Sequence, residues 1–171
     1  MKFLISVVGV VMVAAWIAPA LAEAQMVIVV RHAERADGGT TAPGAVMTNA
    51  NDPELSAAGK ARAQALAAML KDAGVTAIYT TEYTRTKDTA APLAAALKIT
   101  AEVVSAREQA ALIAKIKAHT SGAVLVVGHS NTVPTIIKAL GGTDVTLTDS
   151  EYDSLFFVAP DGTTTRVRFK P

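Results

Sequence analysis

The stretch VIVVRHAERADG, Val27–Gly38, decides how the rest of the chain is read. Four consecutive apolar residues, Val27 to Val30, follow Met26 and run straight into Arg31-His32-Ala33-Glu34-Arg35. A short, continuous, β-branched run of this kind suits a strand buried on both faces, as in the interior of a parallel sheet. A strand over Met26–Val30 is therefore expected, with Arg31, His32 and Glu34 delivered just beyond its carboxyl end. In open α/β sheets that end is where ligands collect.

The same grammar recurs along the chain. Thr76–Thr80, Ala101–Val104, Ala123–Gly128 and Ser154–Ala159 read as further strands, and Asp161-Gly162 as a turn into an alternating edge strand, Thr163–Phe169. Helices are expected between them. One starts at Ser56 as N-cap and carries Ala63, Leu66, Ala67 and Leu70 at helical spacing until Gly74. A second covers Thr84–Leu97, where Pro92 should kink or split it. The others are Glu108–Lys117 and Val133–Leu140, the latter stopped by Gly141-Gly142. Alternation of strand and helix predicts an α/β fold, a three-layer α/β/α sandwich with a mostly parallel central sheet. One domain, 25–171, accounts for it, and the polar segment Thr40–Asn51 reads either as a cover over a site or as a plain connection.

Composition narrows the function. The 171 residues are 51% hydrophobic, enough for one ordinary core, and the formal charge is only +1. A balanced surface gives no general pull toward nucleic acid or an anionic membrane. The absence of cysteine excludes disulfides, thiol catalysis and cysteine-ligated metals. Residues 1–24 read as a signal peptide: Lys2, an apolar run, then Ala20, Ala22 and Ala24 in A-x-A spacing, with cleavage after Ala22 or Ala24. Pro19 would interrupt a retained spanning helix. Export is the expectation, to the periplasm first and to the medium as the alternative, with no stable membrane insertion after cleavage.

Three expected strand ends then aim side chains at one region: Arg31 and His32, Arg85 shortly after Thr80, and His129 after Gly128. The chemistry suggested is phosphoryl transfer. Guanidinium forks match phosphate oxygens, and a histidine nitrogen can attack phosphorus to give a covalent intermediate that water later cleaves. Such a pocket needs no metal and no cofactor. A metal set of His32, His129, Glu34 and Asp37 is the competing reading, opposed by the two cationic arginines.

At these residues the chain resembles the histidine phosphatase superfamily, with its phosphoglycerate mutase-like fold. RHAE, Arg31–Glu34, is similar to the family's first-histidine signature, and LSAAG, Leu55–Gly59, to the opening of its first helix. YTTEYTRTKDTA, Tyr79–Ala90, resembles its second-arginine region, and VVGHSNTVP, Val126–Pro134, its second-histidine strand end. The resemblance implies that His32 is the phosphorylated nucleophile and that Arg31, Arg85 and His129 complete the phosphate pocket. His129 is a candidate cation there, titrating as a coupled pair with His32. Asn131 resembles an extra substrate-binding residue, with helix capping as its other reading. Ser130 stands where many members carry glycine, and Gly128 reads as a close backbone approach.

The proton donor is the open position. Glu34 is the first candidate because it shares a loop with His32, followed by Glu82, Glu108, Glu151 and Asp153. Only 43 residues separate Arg85 from His129, which leaves little room for a cap. The resemblance is to the small phosphatases of the superfamily, and an open site is implied. The expected activity is metal-independent hydrolysis of an exported or envelope phosphomonoester, either a phosphorylated small molecule or an envelope glycan. Export weighs against a glycolytic mutase. The alternatives are a phosphohistidine or other phosphoprotein phosphatase, and a non-catalytic phosphate-binding protein on the same fold.

Overall fold

The structure, a computed structural model, describes residues 25–36 and 52–171. The signal-peptide reading, Asp37 and the Thr40–Asn51 segment fall outside the described residues.

Strand β1 (Val27–Arg31) shows why its sequence does not alternate. Val27 and Val29 point into one core, Ile28 and Val30 into another, and all four are buried. Around it lie α1 (Ala57–Leu70), β2 (Val75–Thr80), α2 (Thr84–Leu97), β3 (Glu102–Val103), α3 (Gln109–Ala118), β4 (Ala123–Gly128), α4 (Thr132–Ala139), β5 (Ser154–Val158) and β6 (Thr164–Arg168). The sheet runs β3-β2-β4-β1-β5-β6. Its β1/β4, β2/β4 and β2/β3 pairs are parallel, and β5 and β6 close one side antiparallel. Leu66, Leu70 and Leu93 of α1 and α2 cover one face; Ile116, Val133 and Ile137 of α3 and α4 cover the other. The result is the mostly parallel three-layer sandwich that the alternation predicts.

Boundaries differ from expectation by a residue or two, for local reasons. β1 extends through Arg31 because that residue still pairs with Gly128. β3 shrinks to an edge pair with exposed residues, so little burial rewards a longer strand. Pro92 lies inside α2, which is one uninterrupted element. Ser56 does cap α1, its hydroxyl accepting from the Gly59 amide at 3.1 Å.

Two features place the site. β1 and β4 are in register and end together, and the His32 amide donates to the Gly128 carbonyl at 2.9 Å. Gly128 is tight as expected: a Cβ there would stand 2.8 Å from the Thr132 hydroxyl oxygen. That hydroxyl receives the His129 amide at 2.8 Å and fixes the turn from β4 into α4.

Candidate active site

Arg31 leaves β1 almost fully buried. Its terminal nitrogen Nη1 donates to the carbonyls of Thr148, Asp149 and Glu151 at 3.0, 2.9 and 3.1 Å, and its guanidinium lies 4.0 Å from the centre of the Tyr152 ring. The loop before β5 is thus clamped onto the end of β1. Its Nε has no hydrogen-bond partner among the described residues. A buried guanidinium N–H is costly to leave unmet, so an anion at this point satisfies a standing demand.

Arg85 is held from the other side. Its guanidinium lies 4.2 Å from the Tyr83 ring centre, and Nη1 reaches Asp52 at 3.5 Å. Asp52 also accepts from the Thr84 amide at 2.9 and 3.0 Å and from its hydroxyl at 2.7 Å. It supplies the N-terminal cap that α2 lacks from its own N-cap residue, Tyr83. Burial works to raise the Asp52 carboxyl, but the Thr84 bonds and the Arg85 charge hold it below the ordinary range. Each arginine therefore rests on a tyrosine, an arrangement that fixes a long side chain at modest cost.

His32 is 3% exposed and His129 8%, with ring centres 5.3 Å apart. His32 Nδ1 lies 2.8 Å from its neighbour's carbonyl, Ala33 O, so Nδ1 carries the hydrogen and Nε2 keeps its lone pair. Burial, reinforced by His129 and both arginines, pushes His32 down to about 3 against the pull of that carbonyl. His129 is pushed down to about 4, by burial first and then by Arg85. Its Nε2 sits 3.0 Å from the Thr81 hydroxyl, which also meets that of Thr86 at 2.9 Å. Burial first, and then the arginine charges, thus disfavour the cationic form of His129. Thr89 completes the frame by accepting the Ala33 amide at 2.9 Å while donating to the Arg85 carbonyl at 2.7 Å.

These groups border a cavity of about 430 Å³, which Ser130, Asn131 and Asp149 also line. Asn131 stands at the N-cap of α4 without a side-chain capping bond. Its place on the cavity, rather than its capping reading, is what the structure supports.

Glu34 does not face this cavity. Its carboxylate is gripped by Arg62, whose Nε reaches both oxygens at 2.9 Å and whose Nη2 reaches Oε1 at 2.6 Å. Burial would raise its proton affinity, but these bonds win and hold it below the usual range. A carboxyl that must hold a proton to donate it is poorly served there. Glu34 lines a separate cleft, and its work is to tie the His32 loop to α1. The other candidates are also diverted. Glu151 pairs with Arg166 and Arg168, Asp153 with Arg168, and Glu82 accepts from the Ala106 amide at 2.8 Å. Glu108 is exposed before α3 and does not border the cavity. Among the described residues no group of three metal-ligating side chains gathers.

Tyr83, Tyr152, Thr81, Thr89, Asp52, Arg62 and Asp149 were not singled out by the sequence. Tyr83 lies two residues before Arg85, yet the Arg31–Tyr152 pair spans most of the chain, and only the folded sheet joins it.

Comparison with known proteins agrees with this geometry. The sequence matches the histidine phosphatase superfamily (branch 1) over residues 27–108, a span that contains Arg31, His32 and Arg85. The chain belongs to the histidine phosphatase superfamily. Among curated proteins no sequence matches significantly. Among solved structures, the SixA protein from Agrobacterium tumefaciens is similar at a TM-score of 0.58 and 21% identity, covering 85% of this chain and 97% of that one. A protein histidine phosphatase SixA complexed with tungstate gives 0.58 and 16%, with 83% and 94% covered. A mycobacterial glucosyl-3-phosphoglycerate phosphatase in complex with VO3 gives 0.62 and 15%, with 86% and 99% covered. At these identities the likeness is one of fold. Family membership, with both arginines and both histidines around one cavity, makes this superfamily member a histidine-type phosphatase.

Proposed function

We propose that the protein hydrolyses phosphomonoesters through a phosphohistidine at Nε2 of His32. The observation that carries this is the His32 tautomer: Nδ1 is committed to the Ala33 carbonyl, so the remaining nitrogen is an unprotonated nucleophile in a cationic pocket. Nε2 attacks phosphorus, and the bond to the leaving oxygen breaks. Arg31 and Arg85 hold the non-bridging oxygens as charge redistributes. His129 donates or accepts a hydrogen bond through the nitrogen not engaged with Thr81. Water then attacks the phosphohistidine, and inorganic phosphate leaves. That two structurally similar phosphatases bind tungstate and VO3, both oxyanions like phosphate, supports an anion at this position.

For the substrate we favour a phosphomonoester outside the cytoplasm, on an envelope glycan or a small molecule. The signal-like segment at residues 1–24 motivates this, and fractionation of cells expressing the full chain tests it. A second reading is dephosphorylation of protein phosphohistidine. It rests on the connection from Arg85 to His129, which holds only the rest of α2, then β3, α3 and β4, and inserts no cap on that side.

The test is rapid mixing with a 32P-labelled phosphomonoester, alkaline quenching and peptide mapping. Label is expected on His32 in the wild type and nowhere in His32→Ala, and activity should survive chelator. Label on His129, or turnover that persists in His32→Ala, would overturn the covalent assignment. Comparing kcat/KM for a small ester and a phosphohistidine-bearing protein separates the two substrate readings.

A further inference from the structure

The reaction proposed above lacks a proton source for the departing oxygen. An alkoxide is a poor leaving group, and a positioned acid contributes on the order of a hundredfold to ten-thousandfold. Among the described residues bordering the 430 Å³ cavity, one carries a carboxyl group: Asp149. It sits in the loop that Arg31 clamps, and its own carbonyl is one of the three that receive Arg31 Nη1. The side chain turns toward the second-histidine loop, where its Oδ1 accepts from the Ser130 hydroxyl at 3.4 Å. Asp149 thus links the arginine side of the pocket to the histidine side. Among the described residues no arginine or lysine stands within salt-bridge distance of its carboxylate, in contrast to Glu34, Asp52, Glu151 and Asp153, although Arg31 lies close enough to feel its charge.

We infer that Asp149 is the general acid for the leaving oxygen and then the base for the hydrolytic water. This inference rests on the proposed phosphomonoesterase activity. As His32 Nε2 bonds to phosphorus and the phosphorus–oxygen ester bond breaks, the Asp149 proton passes to the ester oxygen, which departs as an alcohol. The resulting carboxylate takes a proton from water. The hydroxide attacks phosphorus, the phosphorus–nitrogen bond breaks, phosphate leaves, and Asp149 is again protonated. Ser130, where the family often has glycine, is the positioning residue that aims the carboxyl.

The experiment compares leaving groups. For each ester kcat/KM reports the steps up to departure of the leaving oxygen, so slow dephosphorylation does not blur it. The nitrophenolate of 4-nitrophenyl phosphate leaves without a proton, whereas the alkoxide of glycerol phosphate needs one. Asp149→Asn retains the shape and the acceptor for Ser130. It should leave kcat/KM for the nitrophenyl ester within about threefold of wild type and lower it for the alkyl ester on the order of a hundredfold or more. Ser130→Ala should show the same selectivity, more weakly. Equal losses on both esters, or no loss on either, would overturn the assignment. A wild-type enzyme inert toward both esters would instead overturn the phosphomonoesterase reading, and the acid with it.

Discussion

The imidazoles of His32 and His129 stand 5.3 Å apart at an interplanar angle of 63°, both buried and both within the field of Arg31 and Arg85. Two neutral rings between two cations leave room for a dianion and no reason for a proton in its absence. Because His32 lies near 3 in the folded protein, its protonation does not limit kcat/KM in mild acid, and the acid loss anticipated from an ordinary histidine moves well below pH 6.

The same values set a stability profile. The unfolded chain takes up a proton at each ring near pH 6.5, while the folded chain resists down to about 4 at His129 and about 3 at His32. Stability from this pair is complete above pH 6.5 and is lost as pH falls. The steepest slope is on the order of 1.4 kcal/mol per pH unit per ring. Between about pH 6.5 and 5.5 an ordinary carboxylate is charged in both states, so urea midpoints in that window report the histidines, with Asp88, whose carboxyl burial holds above the ordinary range, as the one carboxylate among the described residues acting against them. A marked fall is expected, about halved in His129→Gln. A flat profile in the wild type would mean that the rings are protonated or solvated in the folded protein.

The two arginines should separate in mutagenesis. Arg31 holds three backbone carbonyls and a tyrosine ring, so Arg31→Ala removes a structural clamp as well as a phosphate ligand. A loss of about 1.5–3 kcal/mol of stability is expected together with loss of turnover. Arg31→Lys can still serve the carbonyls with its three ammonium hydrogens, but it lacks the Nε donor. It should recover most of the stability and little of the activity. Arg85, partly buried at the cavity, stacks on Tyr83 and reaches the side chain of Asp52, whereas Arg31 clamps backbone carbonyls, so Arg85→Ala should cost activity with a smaller effect on stability. Thermal unfolding and kcat/KM on the three variants decide the matter, and equal stability losses at both positions would contradict the clamp.

How much of this was legible beforehand follows from what each residue depends on. Strand and helix order, and the arrival of Arg31, His32 and His129 at strand ends, rest on local pattern, and the sequence carries them. The fate of Glu34 does not: its neighbour in sequence is His32, but its partner is Arg62, one turn into α1. The clamp on Arg31 comes from backbone carbonyls of a loop more than a hundred residues away, and carbonyls leave no signature in residue types. Asp149 is hidden in the sequence for a similar reason. It lies in an irregular segment, TLTDSEYD, where three acids alternate with hydroxyl residues, and only the pairing of Glu151 and Asp153 with arginines leaves Asp149 beside the cavity.

Gly59 gives a last test of how the His32 loop is held. A Cβ built there would lie 2.2 Å from the Glu34 carbonyl oxygen, which already accepts the Ser56 amide at 2.9 Å. Alanine is the better helix former by about 1 kcal/mol, so propensity alone favours Gly59→Ala. Contact at that distance is far inside van der Waals range, and both contacting groups are backbone, so neither can rotate away. The steric cost should win, with a net loss of about 1–3 kcal/mol. The displaced segment is two residues from His32, so kcat/KM should fall as well. Ala58→Gly, at an exposed position of the same turn, provides the contrast: a stability loss of about 1 kcal/mol with unchanged kcat/KM. If Gly59→Ala were as stable and as active as wild type, α1 would not be packed directly against the nucleophile loop.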